Sequence, residues 1–205
     1  MSDLLSKLYD HETRLVVAKA DGSFSLDPPV DALVLAGSFN PLHDGHRKLL
    51  GAAERVTGRR GMFEISIENV DKPDLPRADL ENRLSQFRGS YDVAATRTRL
   101  FMEKADVLPG AWFVLGYDTA VRLLDDHYYA DDGEGSGRAV RALLRMAAQG
   151  ARFVVAGRQG KDGRYYRAED LETPEQLRDM FVLIPSDDFR VDISSTELRE
   201  RQERR

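Results

Sequence analysis

Cysteine is absent from the 205 residues, which excludes disulfides and thiol chemistry. Long apolar runs are missing too, and a spanning helix needs about 20 consecutive apolar residues. The opening residues carry Asp3, Lys7 and Asp10 where a secretory signal would have an unbroken apolar stretch. A cytoplasmic protein without a membrane partner is therefore expected. Charge of one sign is not in excess: 30 Lys plus Arg stand against 35 Asp plus Glu, a formal net charge of −5. Condensation on nucleic acid through net charge is disfavoured, so no nucleic-acid partner is expected. Histidine numbers only four and tryptophan one. A zinc site would have to recruit carboxylates.

What the chain does have is 41% apolar residues, ordinary for a globular fold, in short β-branched and aromatic runs that alternate with helical stripes. That is the form of repeated βα units. The fold class expected is α/β: a Rossmann-like, mostly parallel sheet with helices on both faces, in a single domain over residues 31–205. Residues 1–30 are expected to be an N-terminal extension, with a β-hairpin turning at Asp21-Gly22 between Thr13 to Lys19 and Ser23 to Leu26. Its purpose stays open between a fused-domain remnant, sheet padding and a homo-oligomer contact.

Ala32 to Ala36 is apolar on both faces, as a strand between two helical layers must be. Leu49, Leu50, Ala53 and Val56 then follow at helical spacing. From Phe63 to Glu68 apolar and polar residues alternate, which predicts a strand with one face open to solvent or to a polar cleft. Lys104 falls in a helix striped by Leu100, Phe101, Ala105 and Leu108 and is expected to be partly exposed, a weak site candidate. Trp112 to Leu115 predicts another buried strand, ending in Gly116-Tyr117-Asp118. Ala130 to Arg138 predicts a loop, Ala139 to Gln149 a helix stopped by Gly150, and Arg152 to Gly157 a strand. Thr173-Pro174 predicts a capped helix start, and Phe181 to Ile184 the last strand.

Between the first buried strand and its helix lies Gly37-Ser38-Phe39-Asn40-Pro41-Leu42-His43-Asp44-Gly45-His46. Ligands of such sheets bind beyond the strands' carboxyl ends. Gly37 permits close backbone approach, Gly45 lets a ligand sit near the helix start, and the free N–H groups there favour phosphate. Two imidazoles beside a phosphate can share developing negative charge. By itself the segment is also a good turn with two surface histidines. Near the C-terminus, Ile193-Ser194-Ser195-Thr196-Glu197-Leu198-Arg199 reads as a capping box from Ser194 to Glu197. It also brings the hydroxyls of Ser195 and Thr196, and the Arg199 guanidinium, to a helix start.

Together with Gly116-Tyr117-Asp118, these segments resemble the nucleotidylyltransferase superfamily over about residues 31 to 201, most closely the nicotinamide and nicotinate mononucleotide adenylyltransferases. The resemblance implies attack of a phosphate-bearing acceptor on the α-phosphorus of ATP, with pyrophosphate leaving. It places His43 and His46 at the triphosphate inside the loop of Gly37, Ser38 and Phe39, and Ser195, Thr196 and Arg199 on the β and γ phosphates. Gly116 and Asp118 would fix the adenosine portion, Lys72 would supply a catalytic ammonium, and magnesium would bridge phosphate oxygens, so no all-protein metal site is expected. Phosphopantetheine, glycerol phosphate and choline phosphate stay open as acceptors, as do CTP as donor, a non-catalytic nucleotide-binding module and plain nucleotide hydrolysis. The aromatic face that relatives carry after Gly-x-Asp has Tyr128 or Tyr129 as its candidates, and His127 is expected to be structural.

Overall fold

The computed structural model describes residues 3–68, 73–129, 133, 135–160 and 163–189. Its centre is an eight-stranded sheet. Six strands run parallel: β3 (Leu33–Ala36), β4 (Gly61–Ser66), β5 (Val93–Thr96), β6 (Trp112–Gly116), β7 (Arg152–Ala156) and β10 (Phe181–Leu183). In space they lie in the order β10-β7-β6-β3-β4-β5. After β3 the chain adds strands outward on one side, then crosses back to place β6 on the other. The carboxyl ends of β3 and β6 thus flank the switch point where doubly wound sheets bind ligands.

Alternation along each strand divides the core into two layers. Leu33, Leu35, Phe63, Ile65 and Val114 pack with Leu50 and Ala53 of α2 (Asp44–Thr57) and Leu80 and Leu84 of α3 (Arg77–Ser85). Val34, Met62, Phe113, Leu115 and Phe153 pack on the opposite face, with Ala105 of α4 (Phe101–Val107), Ala120 and Leu123 of α5 (Tyr117–Leu123), and Leu143 and Met146 of α6 (Arg138–Ala148). The Rossmann-like α/β sheet with helices on both faces, expected from the sequence, is the fold observed.

The N-terminal segment is built into that sheet. A short helix, α1 (Asp3–Tyr9), buries Leu5 and Leu8 completely in the α2 layer. Next, β1 (Leu15–Ala18) pairs antiparallel with the whole of β5, and β2 (Phe24–Ser25) closes the hairpin with Gly22 at φ 89°. Leu15, Val16 and Val17 are buried, so the edge of β5 is covered by chain that precedes the first βα unit.

Three expectations need correcting. The polar face of β4 is closed to solvent at Glu64, which is 1% exposed and whose Oε1 receives Lys104 Nζ at 2.8 Å. Lys104, expected to be partly exposed, is 6% exposed. Its three donors meet Glu64, the Thr98 carbonyl at 3.3 Å and the Thr98 hydroxyl at 3.2 Å. Thr96 Oγ1 donates to Glu64 Oε1 and lies 2.5 Å from Thr98 Oγ1, which closes the network. The helix expected from Thr173 is a 3-10 stretch, Glu175–Met180, with Pro174 as its N-cap and no side-chain cap, and the Thr173 hydroxyl donates to the Leu171 carbonyl. The other strands and helices begin and end within two residues of their expected bounds, with Gly150 at φ 84° after α6. The loop expected over 130–138 lies partly outside the described residues.

Candidate functional site

The β3-to-α2 loop is held from beneath by a single ring. Phe39 is 1% exposed and meets Phe63, Phe87 and His46 edge-on, with centroids 5.0, 5.5 and 4.9 Å away. It anchors the loop in the core, so what it can offer a ligand is backbone. Gly37 is required by that anchor, because a Cβ there would lie 2.8 Å from the Phe39 ring. Its N–H donates to the Glu64 carbonyl at 3.0 Å, which ties the loop to β4. Ser38 is exposed at the loop's rim.

Helix α3 supplies two residues that no motif singles out. Gln86, just past its end, donates through Nε2 to the Phe39 carbonyl at 3.1 Å and accepts the Leu42 N–H at 2.8 Å. Arg83 donates to the Ser38 carbonyl at 3.0 Å. Between them they fix both ends of the Ser38 to Leu42 turn. No local pattern marks a glutamine 44 residues away as the brace of this loop.

Beyond the turn, His43 and His46 stack with ring centroids 3.6 Å apart and planes inclined by 24°. The spacing comes from the start of α2: His43 is its N-cap and His46 its third residue, with Gly45 buried between them. His46 Nδ1 accepts the His43 N–H at 3.3 Å. Assigned from that bond, the neutral ring carries its proton on Nε2. Burial, then the neighbouring His43 and Arg47, pushes His46 from 6.5 down to about 4. His43 is also lowered, by burial against the opposing pull of Asp44. The pair is therefore neutral at neutral pH and offers hydrogen-bond donors, not fixed positive charge.

Across the switch point, Gly116 caps α5 with open space where a Cβ would stand. Asp118 in the first turn of α5 pairs with Arg158 beyond β7 at 2.5 Å. Tyr117 stacks on Tyr166 of the β8 (Arg158–Gln159) and β9 (Tyr165–Tyr166) hairpin, centroids 5.3 Å apart. Arg158 and Tyr166 lie far along the chain from Asp118 and were not legible as its neighbours. Of the expected aromatic candidates, Tyr129 is committed to structure, since its hydroxyl donates to the Leu123 carbonyl at 2.7 Å, while Tyr128 is 55% exposed. The His127 N–H donates to Asp125 in a 3-10 turn, with its ring exposed.

Gly37, Ser38, Phe39, His43, Gly45 and His46 form one loop and helix start, while Gly116 and Asp118 stand at the end of the neighbouring parallel strand β6. Lys72, Ser195, Thr196 and Arg199 lie outside the described residues. Among the described residues, no three His, Asp or Glu side chains gather where they could hold a metal ion. No helix among them is long and apolar enough to cross a membrane.

A family profile described as cytidylyltransferase-like matches residues 34–201, from the middle of β3 almost to the C-terminus. No curated protein matches the chain.

Proposed function

The chain belongs to the cytidylyltransferase-like family of nucleotidyltransferases, and from that membership we propose that it transfers AMP from ATP to nicotinamide or nicotinate mononucleotide, releasing pyrophosphate. The observation that carries this reading is the neutral, stacked histidine pair at the switch point, on a loop held rigid by Phe39, Gln86 and Arg83. An acceptor phosphate oxygen attacks the α-phosphorus, the bond to the bridging oxygen breaks, and the electron pair leaves with pyrophosphate. No covalent intermediate with the protein is needed, so its task is alignment and charge stabilisation. His46 donates from Nε2 to an α-phosphate oxygen as charge grows there, and His43 stands beside it for the neighbouring oxygens.

Gly37, Ser38 and the backbone of Phe39 line the triphosphate, and the start of α2 at Gly45 contributes N–H groups to it. Asp118 takes ribose hydroxyls, sharing its carboxylate with Arg158. By the resemblance, Ser195, Thr196 and Arg199 hold the β and γ phosphates and Lys72 faces the same charge. Magnesium carried in with the nucleotide would neutralise phosphate charge in this site, without a cage of protein ligands among the described residues.

The test is magnesium-dependent pyrophosphate release from ATP and, separately, CTP, with nicotinamide mononucleotide, nicotinate mononucleotide, phosphopantetheine and glycerol phosphate as acceptors. ATP with a pyridine mononucleotide should give pyrophosphate and an equal amount of dinucleotide. Preference for CTP or for another acceptor overturns the substrate assignment, and phosphate release without an adduct replaces transfer with hydrolysis. A related expectation concerns the brace. Gln86→Ala should cost about 1–2 kcal/mol in stability, yet lower turnover by about 10- to 100-fold, because small misplacements of a phosphate loop are expensive in rate. Urea unfolding and kcat, measured on the same variant, separate the two effects.

A further inference from the structure

The histidine loop is short of positive charge. Its stacked imidazoles are neutral at neutral pH, and Arg47 in the first turn of α2 is paired with Asp44 at 3.5 Å. Two phosphate groups brought together there repel each other, and the loop itself offers donors but little charge to offset the repulsion.

A cation reaches the loop from another element. Arg83 lies in the last turn of α3, and that helix packs on β4, with Phe87 just past its end meeting Phe63 at 4.8 Å between centroids. Arg77, earlier in the same helix, pairs with a carboxylate, Glu81, at 2.9 Å. Arg83 instead donates Nη1 to the Ser38 carbonyl at 3.0 Å, and among the described residues no carboxylate stands at ion-pair distance from it. A guanidinium anchored on a neutral carbonyl keeps its whole charge. The bond to Ser38 uses only part of a fork of donors that matches two phosphate oxygens.

Sheet order assigns this cation to one half of a substrate pair. Strand β6, leading into Gly116 and Asp118, stands on one side of β3, and β4, with α3 packed on it, stands on the other. A nucleoside held at Asp118 brings its α-phosphate to the histidine pair in the middle, so a group attacking from the opposite side arrives on the flank of Arg83.

We propose that Arg83 binds the phosphate of the acceptor, offsetting its charge as it nears the α-phosphorus and turning one oxygen in line with the departing pyrophosphate. This rests on the transferase reading for the identity of the two substrates. It gives a second role to a side chain so far needed only to brace the turn. The new bond joins the acceptor oxygen to the α-phosphorus as the bond to the bridging oxygen breaks, and Arg83 stays protonated throughout.

Titration calorimetry on the full chain tests it, with nicotinamide mononucleotide as the probe, in the presence of magnesium and an ATP analogue whose α,β-bridging carbon cannot be cleaved. Arg83→Gln retains a donor for the Ser38 carbonyl but loses the charge, and should weaken mononucleotide binding by at least about tenfold. Added potassium chloride should then weaken the remaining binding less than it weakens binding to the unaltered chain. Arg83→Lys, with the charge but without the fork, should fall between the two. Affinity for the ATP analogue alone should stay within about twofold in Arg83→Gln. Gln86→Ala loosens the same turn without removing charge, so its salt dependence should match that of the unaltered chain. Unchanged mononucleotide affinity in Arg83→Gln, a loss with the salt dependence of Gln86→Ala, or no mononucleotide binding to the unaltered chain at millimolar ligand would each overturn the assignment. The two readings fail separately. Arg83-dependent binding with no pyrophosphate released from ATP removes the transferase reading and keeps the phosphate contact, whereas transfer with an unchanged acceptor KM in Arg83→Gln removes the contact and keeps the transferase.

Discussion

His46→Ala should lower turnover by about 100- to 1,000-fold, the range for removing one donor aimed at developing phosphate or oxyanion charge. The fold should survive, at a cost of about 1 kcal/mol for the lost bond from the His43 N–H. That cost exists because His46 also packs edge-on against Phe39 and closes the start of α2. Near-normal kcat in this variant would remove His46 from the reaction. The pH dependence gives a separate reading. With its value at about 4, His46 stays neutral through the physiological range, so its donor role should be constant from about pH 8 to pH 5. Stability should behave otherwise. The folded-state value lies below the ordinary 6.5, so the unfolded chain takes the proton first. Stability from this group is full above about pH 6.5 and declines as pH falls towards 4, and the decline should be shallower in His46→Ala. Urea midpoints at pH 7 and pH 4.5 for both proteins measure the difference.

Lys104→Met should destabilise the fold by about 3–5 kcal/mol, the usual result of stripping one partner from a buried ion pair. Against a total stability of about 5–15 kcal/mol this is the largest single effect expected from a residue outside the loop. The Glu64 carboxylate would be left with Thr96 Oγ1 as its remaining side-chain contact among those described. The double variant Glu64→Gln with Lys104→Met removes the stranded charge and should recover much of the loss, so the two changes should be non-additive. Urea unfolding of the two single variants and the double completes the cycle. A loss below about 1 kcal/mol for Lys104→Met would show that the pair is replaceable by apolar packing. Because the Glu64 carbonyl also receives the Gly37 N–H, the same change should reach the histidine loop and depress kcat alongside stability.

The limits of sequence reading fall where physics would place them. Strands β3 and β6 were legible because both faces are buried and every residue is apolar, and α6 because a stripe and a terminal glycine agree. The histidine loop was legible because its glycines and histidines are local. What escaped depends on partners distant in sequence. The alternation in β4 was visible, but whether Glu64 faced water or a lysine depended on α4, 40 residues further on. Helix α1 escaped because seven residues make only about two turns, too short for a periodic signal, though Leu5 and Leu8 are wholly buried. Phe39 was assigned to the ligand loop from its neighbours in sequence, and only packing shows its ring turned inward.

The pairing of β1 with β5 also has a consequence for the order in which the protein is made. Strand β1 leaves the ribosome early, yet its partner lies about eighty residues later in the chain. At roughly 5–20 residues per second, the interval is on the order of ten seconds. Throughout it Leu5, Leu8 and Val16 on one face, and Val17 on the other, lack the strand that completes their burial, since Val93–Thr96 has not yet been synthesised. The nascent chain therefore carries an apolar, strand-forming segment in waiting, exposed to chaperones until β5 emerges to pair with it.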